Sequence, residues 1–426
     1  MKILFKNADV LQRERGKYTA KKNAYLATDG NIISYIGSAR PQGEFDREID
    51  MRGKLLIPGL YNCHTHAAMV ALRGVGSGLP LDRWLREEIF PREKRVDAQT
   101  VLAASRLAIA EMIACGTVSF TDMYFYPEET ARAVEESGIK ANLTKHLQGT
   151  TPENKAEQIN ASLAFYDAYH GACGGRIRAD FGVHACYTCD FDAVREYAAL
   201  CEEKGAGMHI HLSETKKELN DCLSQNGKTP VRWFRDAGVF RSPTAAAHCV
   251  ALADGDAQIL RDCGVSVVHN PTSNMKLGSG FADVTTLSRR GVNIALGTDG
   301  AASNNNLNIF EEMHLSAVIH NGFAEDPTRM QPQTVLDMAT VNGARAQGRE
   351  DCGELRVGFR ADIAAIDMDR PHLIPAEDPA SLLIYSAQGA DVCMTMADGK
   401  ILYENGEYKT LDVEKVMRDA RRISLC

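Results

Sequence analysis

The sequence predicts an α/β protein: a (β/α)8 TIM-like barrel with a small β-sandwich domain built from both chain ends. Three observations lead there. Eight short apolar runs recur through the middle of the chain, at 60–64, 117–122, 141–145, 178–184, 207–211, 244–248, 265–269 and 293–298. Amphipathic stretches lie between them, at 98–114, 127–137, 190–204 and 254–262, with a further one at 331–346. Both ends of the chain instead alternate in strand fashion around Asp29-Gly30 and Asp398-Gly399, two hairpin signals.

Each element has its own justification. In the first end, 1–56, Ile3 and Phe5, Tyr25 and Ala27, and Ile32 and Ile36 fall two or four residues apart on strand-like faces. The last segment, 348–426, repeats that style at 362–366, 392–396 and 400–403. Neither end is large enough for a comfortable core of its own. The two are therefore expected to form one sandwich, with 57–347 inserted between them as a metal-dependent barrel. Helical stretches that stop beside Gly116, Gly138, Gly205 and Gly264 carry the usual left-handed helix-end signal.

Composition narrows the function. The chain has 426 residues, 44% hydrophobic and 24% charged, as in ordinary soluble domains. A net charge of −8 argues against a nucleic-acid polymer as partner but leaves a small base or nucleoside open. No window reaches the ~18 uncharged apolar residues of a membrane span, and Lys6, Asn7 and Asp9 break the first apolar stretch. No membrane partner is expected, and the cytoplasm is the default location. Twelve cysteines scatter from Cys63 to Cys426, with one C-x-x-C at Cys186 and Cys189. That spacing fits reduced, mostly buried thiols rather than a disulfide framework or a zinc cluster. A homo-oligomer is the expected assembly.

In such a barrel, chemistry sits at the C-terminal ends of the strands. Those ends hold His64 and His66, Asp122, His184, His211 followed by Glu214, His248, His269 and Asp299. Residues two apart on a strand face the same side, so His64 and His66 converge. His211 and Asp299 are the natural additions. Three imidazoles and a carboxylate suit one divalent metal, Zn²⁺ first and Fe²⁺ second. Cys63 points the opposite way from His64. His209 also faces inward and is expected behind the ligands. His269 is open between supporting a ligand and touching substrate. His146, His170, His314, His320 and His372 lie off the strand ends or on helices and are read as structural hydrogen-bonders.

Pro58-Gly59-Leu60 through His64-Thr65-His66, together with Gly358-Phe359-Arg360-Ala361-Asp362-Ile363, resembles the amidohydrolase superfamily. Four further motifs are similar to those of its 5′-methylthioadenosine/S-adenosylhomocysteine deaminases. They are Trp84-Leu85 with Phe90-Pro91-Arg92-Glu93, His211-Leu212-Ser213-Glu214, Ala247-His248-Cys249, and His269-Asn270-Pro271-Thr272-Ser273-Asn274. The resemblance agrees with the reading of the strand ends: His64, His66, His211 and Asp299 hold the metal. Asp299 and His248 contact the attacking water, and Glu214 shuttles its proton to a ring nitrogen. It also implies that Glu93 grips ribose hydroxyls, that His184 touches substrate and that Trp84 walls the entrance. The implied reaction is hydrolytic deamination of an adenine nucleoside: 5′-methylthioadenosine, S-adenosylhomocysteine, adenosine or 5′-deoxyadenosine. The alternative is an aminohydrolase of a free purine, pterin or triazine ring, guanine deaminase-like or chlorohydrolase-like, in which a carboxylate at Glu93 would find no diol. A cyclic-amide hydrolase with two metals bridged by a carboxylated lysine is disfavoured, because 178–189 contains no lysine. After strand three, Lys145-His146-Leu147-Gln148 departs from the pattern, and either Lys145 or His146 is open as a partner for a homocysteine carboxylate.

Overall fold

A computed structural model describes residues 1–423 and 425. The first end contributes β1 (Lys2–Glu14), β2 (Lys17–Asp29), β3 (Ile32–Gly37), β4 (Arg47–Asp50) and β5 (Lys54–Pro58). Eight strands follow: β6 (Leu60–Thr65), β7 (Thr117–Met123), β8 (Lys140–Thr144), β9 (Ile177–Val183), β10 (Met208–Leu212), β11 (Thr244–His248), β12 (Ser266–His269) and β13 (Asn293–Leu296). The last end adds β14 (Ile363–Asp367), β15 (Val392–Ala397), β16 (Lys400–Glu404) and β17 (Glu407–Tyr408).

Strands β6 to β13 form one parallel sheet in chain order, as expected for the barrel. Every residue of β6, β7 and β8 is buried, because helices cover one face of a parallel sheet and the barrel interior the other. Helices Ala98–Ala114, Pro127–Ser137, Phe191–Lys204 and Asp256–Asp262 appear where the pattern placed them. Gly138 and Gly205 end two of them with φ of 86° and 63°. The stretch expected as one helix at 331–346 is two, Pro332–Ala339 and Val341–Ala346. Thr340 breaks it with φ −126° and ψ −96°. Its hydroxyl donates to the Leu336 carbonyl and meets the Tyr18 hydroxyl at 2.7 Å, so the side chain competes with the helical ladder.

The seam of the barrel, between β13 and β6, runs partly through a side chain. The Asp299 N–H donates to the His64 carbonyl at 2.9 Å, and the Thr298 N–H donates to Asn62 Oδ1 at 3.0 Å. Asn62 Nδ2 returns a bond to Thr298 Oγ1 at 2.7 Å. Strand β13 stops at Leu296 so that Thr298 and Asp299 can make this turn.

The two ends share one nine-stranded sheet, in the order β17-β16-β15-β14-β5-β1-β2-β3, with β4 on β1. The sheet doubles back, since Ile33 on β3 exchanges hydrogen bonds with the 358–359 segment ahead of β14. Phe5, Val10, Leu26, Ile363, Met394 and Met396 fill the enclosed core. Lys140 at the start of β8 joins this sheet to the barrel. Its ammonium lies 2.6 Å from Asp362, which also accepts from the Tyr61 hydroxyl.

Eleven cysteines, from Cys63 to Cys393, are free thiols, and Cys426 lies outside the described residues. Among the described residues, no helix is long and apolar enough to cross a membrane.

Asn62→Ala tests the seam. It removes two buried hydrogen bonds and strands the Thr298 N–H, so the unfolding free energy should fall by about 2–4 kcal/mol. A urea midpoint equal to the parent's would show that the seam does not depend on Asn62.

Candidate functional site

The strand ends bring five groups together. The metal-capable nitrogens of His64, His211 and His248 fall within 4.8 Å of one another, and so do the donor atoms of His64, His66 and Asp299. His64 and His66 approach one Asp299 oxygen at 3.5 and 3.4 Å.

The supporting hydrogen bonds fix where the protons are. His66 Nδ1 faces the Met123 carbonyl, and His211 Nδ1 faces the His184 carbonyl at 2.7 Å. A carbonyl only accepts, so both Nδ1 atoms carry the hydrogen and both Nε2 atoms present lone pairs. Those two Nε2 atoms are 3.2 Å apart. His64 Nδ1 pairs with His209 Nε2 at 2.8 Å, and the buried His64 Nε2 has no hydrogen-bond partner. Burial holds His64 down to about 4 and His211 well below its ordinary value, so both stay neutral. Converging lone pairs with no proton between them fit a cation. The donor set suits one divalent metal ion.

Three residues around this centre have left-handed backbones: Ser213 (φ 50°), His248 (φ 76°) and Asp299 (φ 64°). Such strain at non-glycine residues concentrates at functional sites. Glu218 holds the first of them in place. Its carboxylate accepts the N–H groups of Ser213 at 3.1 Å and Glu214 at 2.7 Å. Asp299 accepts from the Ser273 hydroxyl at 2.7 Å and from the Gly300 N–H at 2.7 Å. Asp122 is not one of the clustered donors. It accepts from the Thr65 hydroxyl and the Ala67 N–H, and so anchors the chain on either side of His66.

A cavity opens above the centre. His66, His211, Glu214, His248 and Asp299 line one part, and Trp84, Glu93, Tyr124, His146 and His184 line the rest. Burial raises the Glu214 carboxyl, which lies 3.9 Å from His248 Nε2 and accepts from Ser279 at 3.3 Å. His248 Nδ1 donates to Asn274 Oδ1 at 2.9 Å, which turns Nε2 toward the cavity. Burial works against a proton on His248, but Glu214 and Asp299 outweigh it and raise its affinity. Glu93 sits at the end of helix Phe90–Glu93, after a π-helical turn at Trp84–Ile89. Burial raises its carboxyl against the Tyr124 hydroxyl. Trp84 is buried and donates to the Val75 carbonyl at 3.0 Å. His184 Nδ1 meets Thr188 at 3.1 Å, and burial holds the ring neutral.

The nine residues to which the sequence assigned a metal, catalytic or substrate-binding place thus lie in or directly beneath one cavity, whereas Asp122 and His269 do not line it. Other expectations need correction. His146 is not a remote structural histidine, because it lines the cavity beside Gln148. Lys145 is turned away and pairs with Glu128. His269 is not among the lining residues. Both its ring nitrogens are buried without partners, and its ring packs on His320. His170, His314, His320 and His372 are the hydrogen-bonders expected, bonded to Ala179, Ile384, Ser316 with Ala282, and Asp391. Tyr124, Ser273 and Glu218 were missed. Ser273 and Asn274 stood in a quoted motif without a role, and Glu218 reads in the sequence as one more surface carboxylate of a polar helix.

The chain can be set beside known proteins at this point. The profile described as "Amidohydrolase family" matches residues 55–402. A 5-methylthioadenosine/S-adenosylhomocysteine deaminase of Thermoanaerobacter pseudethanolicus is 43% identical, covering 99% of this chain and 98% of its own. A 5′-deoxyadenosine deaminase of Methanosarcina acetivorans is 44% identical, covering 98% of this chain and 96% of its own. A crystal structure of an adenosine deaminase from Xanthomonas campestris, with bound zinc, superposes with a TM-score of 0.94. It is 30% identical and covers 99% of this chain and 97% of its own. A profile match over most of the length, and relatives this similar end to end, agree with the histidine and aspartate cluster at the strand ends: the chain belongs to the amidohydrolase family.

Proposed function

We propose that the protein is a metal-dependent hydrolytic deaminase of adenine nucleosides, yielding the inosine analogue and ammonia. The observation that carries the reading is that one cavity joins the donor cluster and Glu214 to a second, half-buried carboxylate, Glu93. A free base needs only the first group. A nucleoside also brings a vicinal diol, which an ionised carboxylate grips through two hydroxyl hydrogens. The similarity to relatives named for deaminating 5′-methylthioadenosine, S-adenosylhomocysteine and 5′-deoxyadenosine supports the same substrate class.

His64, His66, His211 and Asp299 would hold the ion, read as zinc from the nitrogen-rich donor set and from the zinc in the adenosine deaminase neighbour. A divalent ion there supplies Lewis acidity and brings the pKa of water toward about 7. Glu214 takes a proton on its carboxylate and passes it to the ring nitrogen beside the carbon under attack. His248, held at Nδ1 by Asn274, directs Nε2 at the oxygen that becomes negative. Asp299 is fixed by Ser273 and Gly300, so it can accept from the attacking water without turning. Trp84 and Tyr124 exclude bulk water along the wall, and His184 faces the substrate.

The inner cavity favours an uncharged 5′ group. No lysine or arginine lines it among the described residues, and His146 is held neutral by burial. An adjoining outer chamber has Arg86, Lys216 and Lys217 on its wall; Arg86 and Lys217 already pair with Asp82 and Asp221, which leaves Lys216 as the cation nearest to a longer 5′ tail.

Three outcomes test the reading. In a panel read by ammonia release, kcat/KM for 5′-methylthioadenosine and 5′-deoxyadenosine should exceed that for S-adenosylhomocysteine. A preference for guanine or a pterin would overturn the nucleoside assignment. Glu214→Gln should keep its metal yet lose at least about a hundredfold in kcat, the usual worth of a proton shuttle. Retention of rate within tenfold would contradict that role. Glu93→Gln should raise KM for nucleosides by about tenfold or more while sparing any activity on free adenine, whereas equal loss on both would remove Glu93 from ribose recognition.

A further inference from the structure

A second cavity, of about 480 Å³, lies at the other end of the barrel. Its walls come from the N-terminal ends of β8 and β9, from the 348–352 segment and from the end sheet. Five cationic side chains line it: Lys140, Arg176, Arg178, Arg349 and Arg360.

Two of the five are matched. Lys140 pairs with Asp362, and Arg360 pairs with Asp351 and Asp398. The other three have no carboxylate partner among the described residues. Arg176 donates only to the carbonyls of Val134 and Ile139. Arg349 is buried and donates to the carbonyls of Gly175, Ala141 and Arg176 and to Asn142 Oδ1. Arg178 makes no hydrogen bond or ion pair among the described residues. The Nε atoms of Arg178 and Arg349 are both buried and both unpartnered. Of the remaining acids, Glu350 is exposed at the rim, and Asp180, on the same strand face as Arg178, accepts from Asn142.

Guanidinium groups buried without a counter-charge are unfavourable unless an anion completes them. Planar forks with free N–H groups match the oxygens of phosphate and carboxylate. A space of this size takes a whole small metabolite rather than an ion alone.

We propose that this cavity is a binding site for the phosphate group of a small phosphate ester, held by Arg178 and Arg349 with Arg176 beside them. The site is remote from the donor cluster and close to the Lys140–Asp362 link, so its ligand would brace the joint between barrel and end sheet.

Calorimetric titration of the metal-loaded protein tests it, with inorganic phosphate and glycerol phosphate as probes and succinate as the carboxylate arm. Ionic strength is held constant with chloride. One saturable site per chain is expected, with both phosphates tighter than succinate. Arg178→Gln should weaken phosphate binding by about tenfold or more, and Arg178→Lys should weaken it less. Neither should change the rate of nucleoside deamination. Heats matching the chloride control, unchanged affinity in Arg178→Gln, or tighter binding of succinate would each overturn the proposal.

Discussion

Two imidazole nitrogens, His66 Nε2 and His211 Nε2, face each other at 3.2 Å with a lone pair on each. Without a cation between them this contact is repulsive. It persists because each ring is tied from behind by an Nδ1–H to a main-chain carbonyl. The acceptors belong to neighbouring strand ends, Met123 as the last residue of β7 and His184 just after β9. The barrel's parallel register thus sets the tautomer and aim of the ligands, and an ion entering the cluster meets donors that need no rearrangement.

The rest of the site is built to the same rule. The seam bond from Asp299 to His64 ties the clustered carboxylate to one of the clustered histidines through the backbone. Left-handed conformations at Ser213, His248 and Asp299 cost energy locally, of order 1–3 kcal/mol each, and are held by bonds the fold already makes. Glu218 shows how the strain is contained. It is a buried carboxylate with a pKa pushed up to about 7, mainly by burial, and it holds two backbone N–H groups at Ser213 and Glu214, the latter being the proposed proton shuttle.

Much of this was legible in the sequence, for a physical reason. Histidine and aspartate at the ends of apolar runs are costly unless used, so His64, His66, His211, His248 and Asp299 stood out against their own strands. Glu93 was legible only through resemblance, since its neighbours Arg92, Lys94 and Arg95 make it read as surface charge. What stayed hidden depends on tertiary contacts. Glu218 and Arg349 carry no periodic signal, and their burial follows from which loops fold over them. His146 was placed just after the third strand but left between a structural hydrogen-bonder and a substrate partner, because only the contacts of Phe125, His184 and Gln148 around it put its ring on the cavity wall. The break at Thr340 likewise follows from Tyr18, a partner 322 residues away in the chain.

The central claim is that neutral, pre-aimed histidines and Asp299 form one metal site. Its most direct test is zinc titration of the metal-stripped protein against a chromophoric chelator. The account predicts one tightly bound equivalent per chain, lost when His66 and His211 are both replaced by alanine. Two tight equivalents, or one that survives the double replacement, would contradict it.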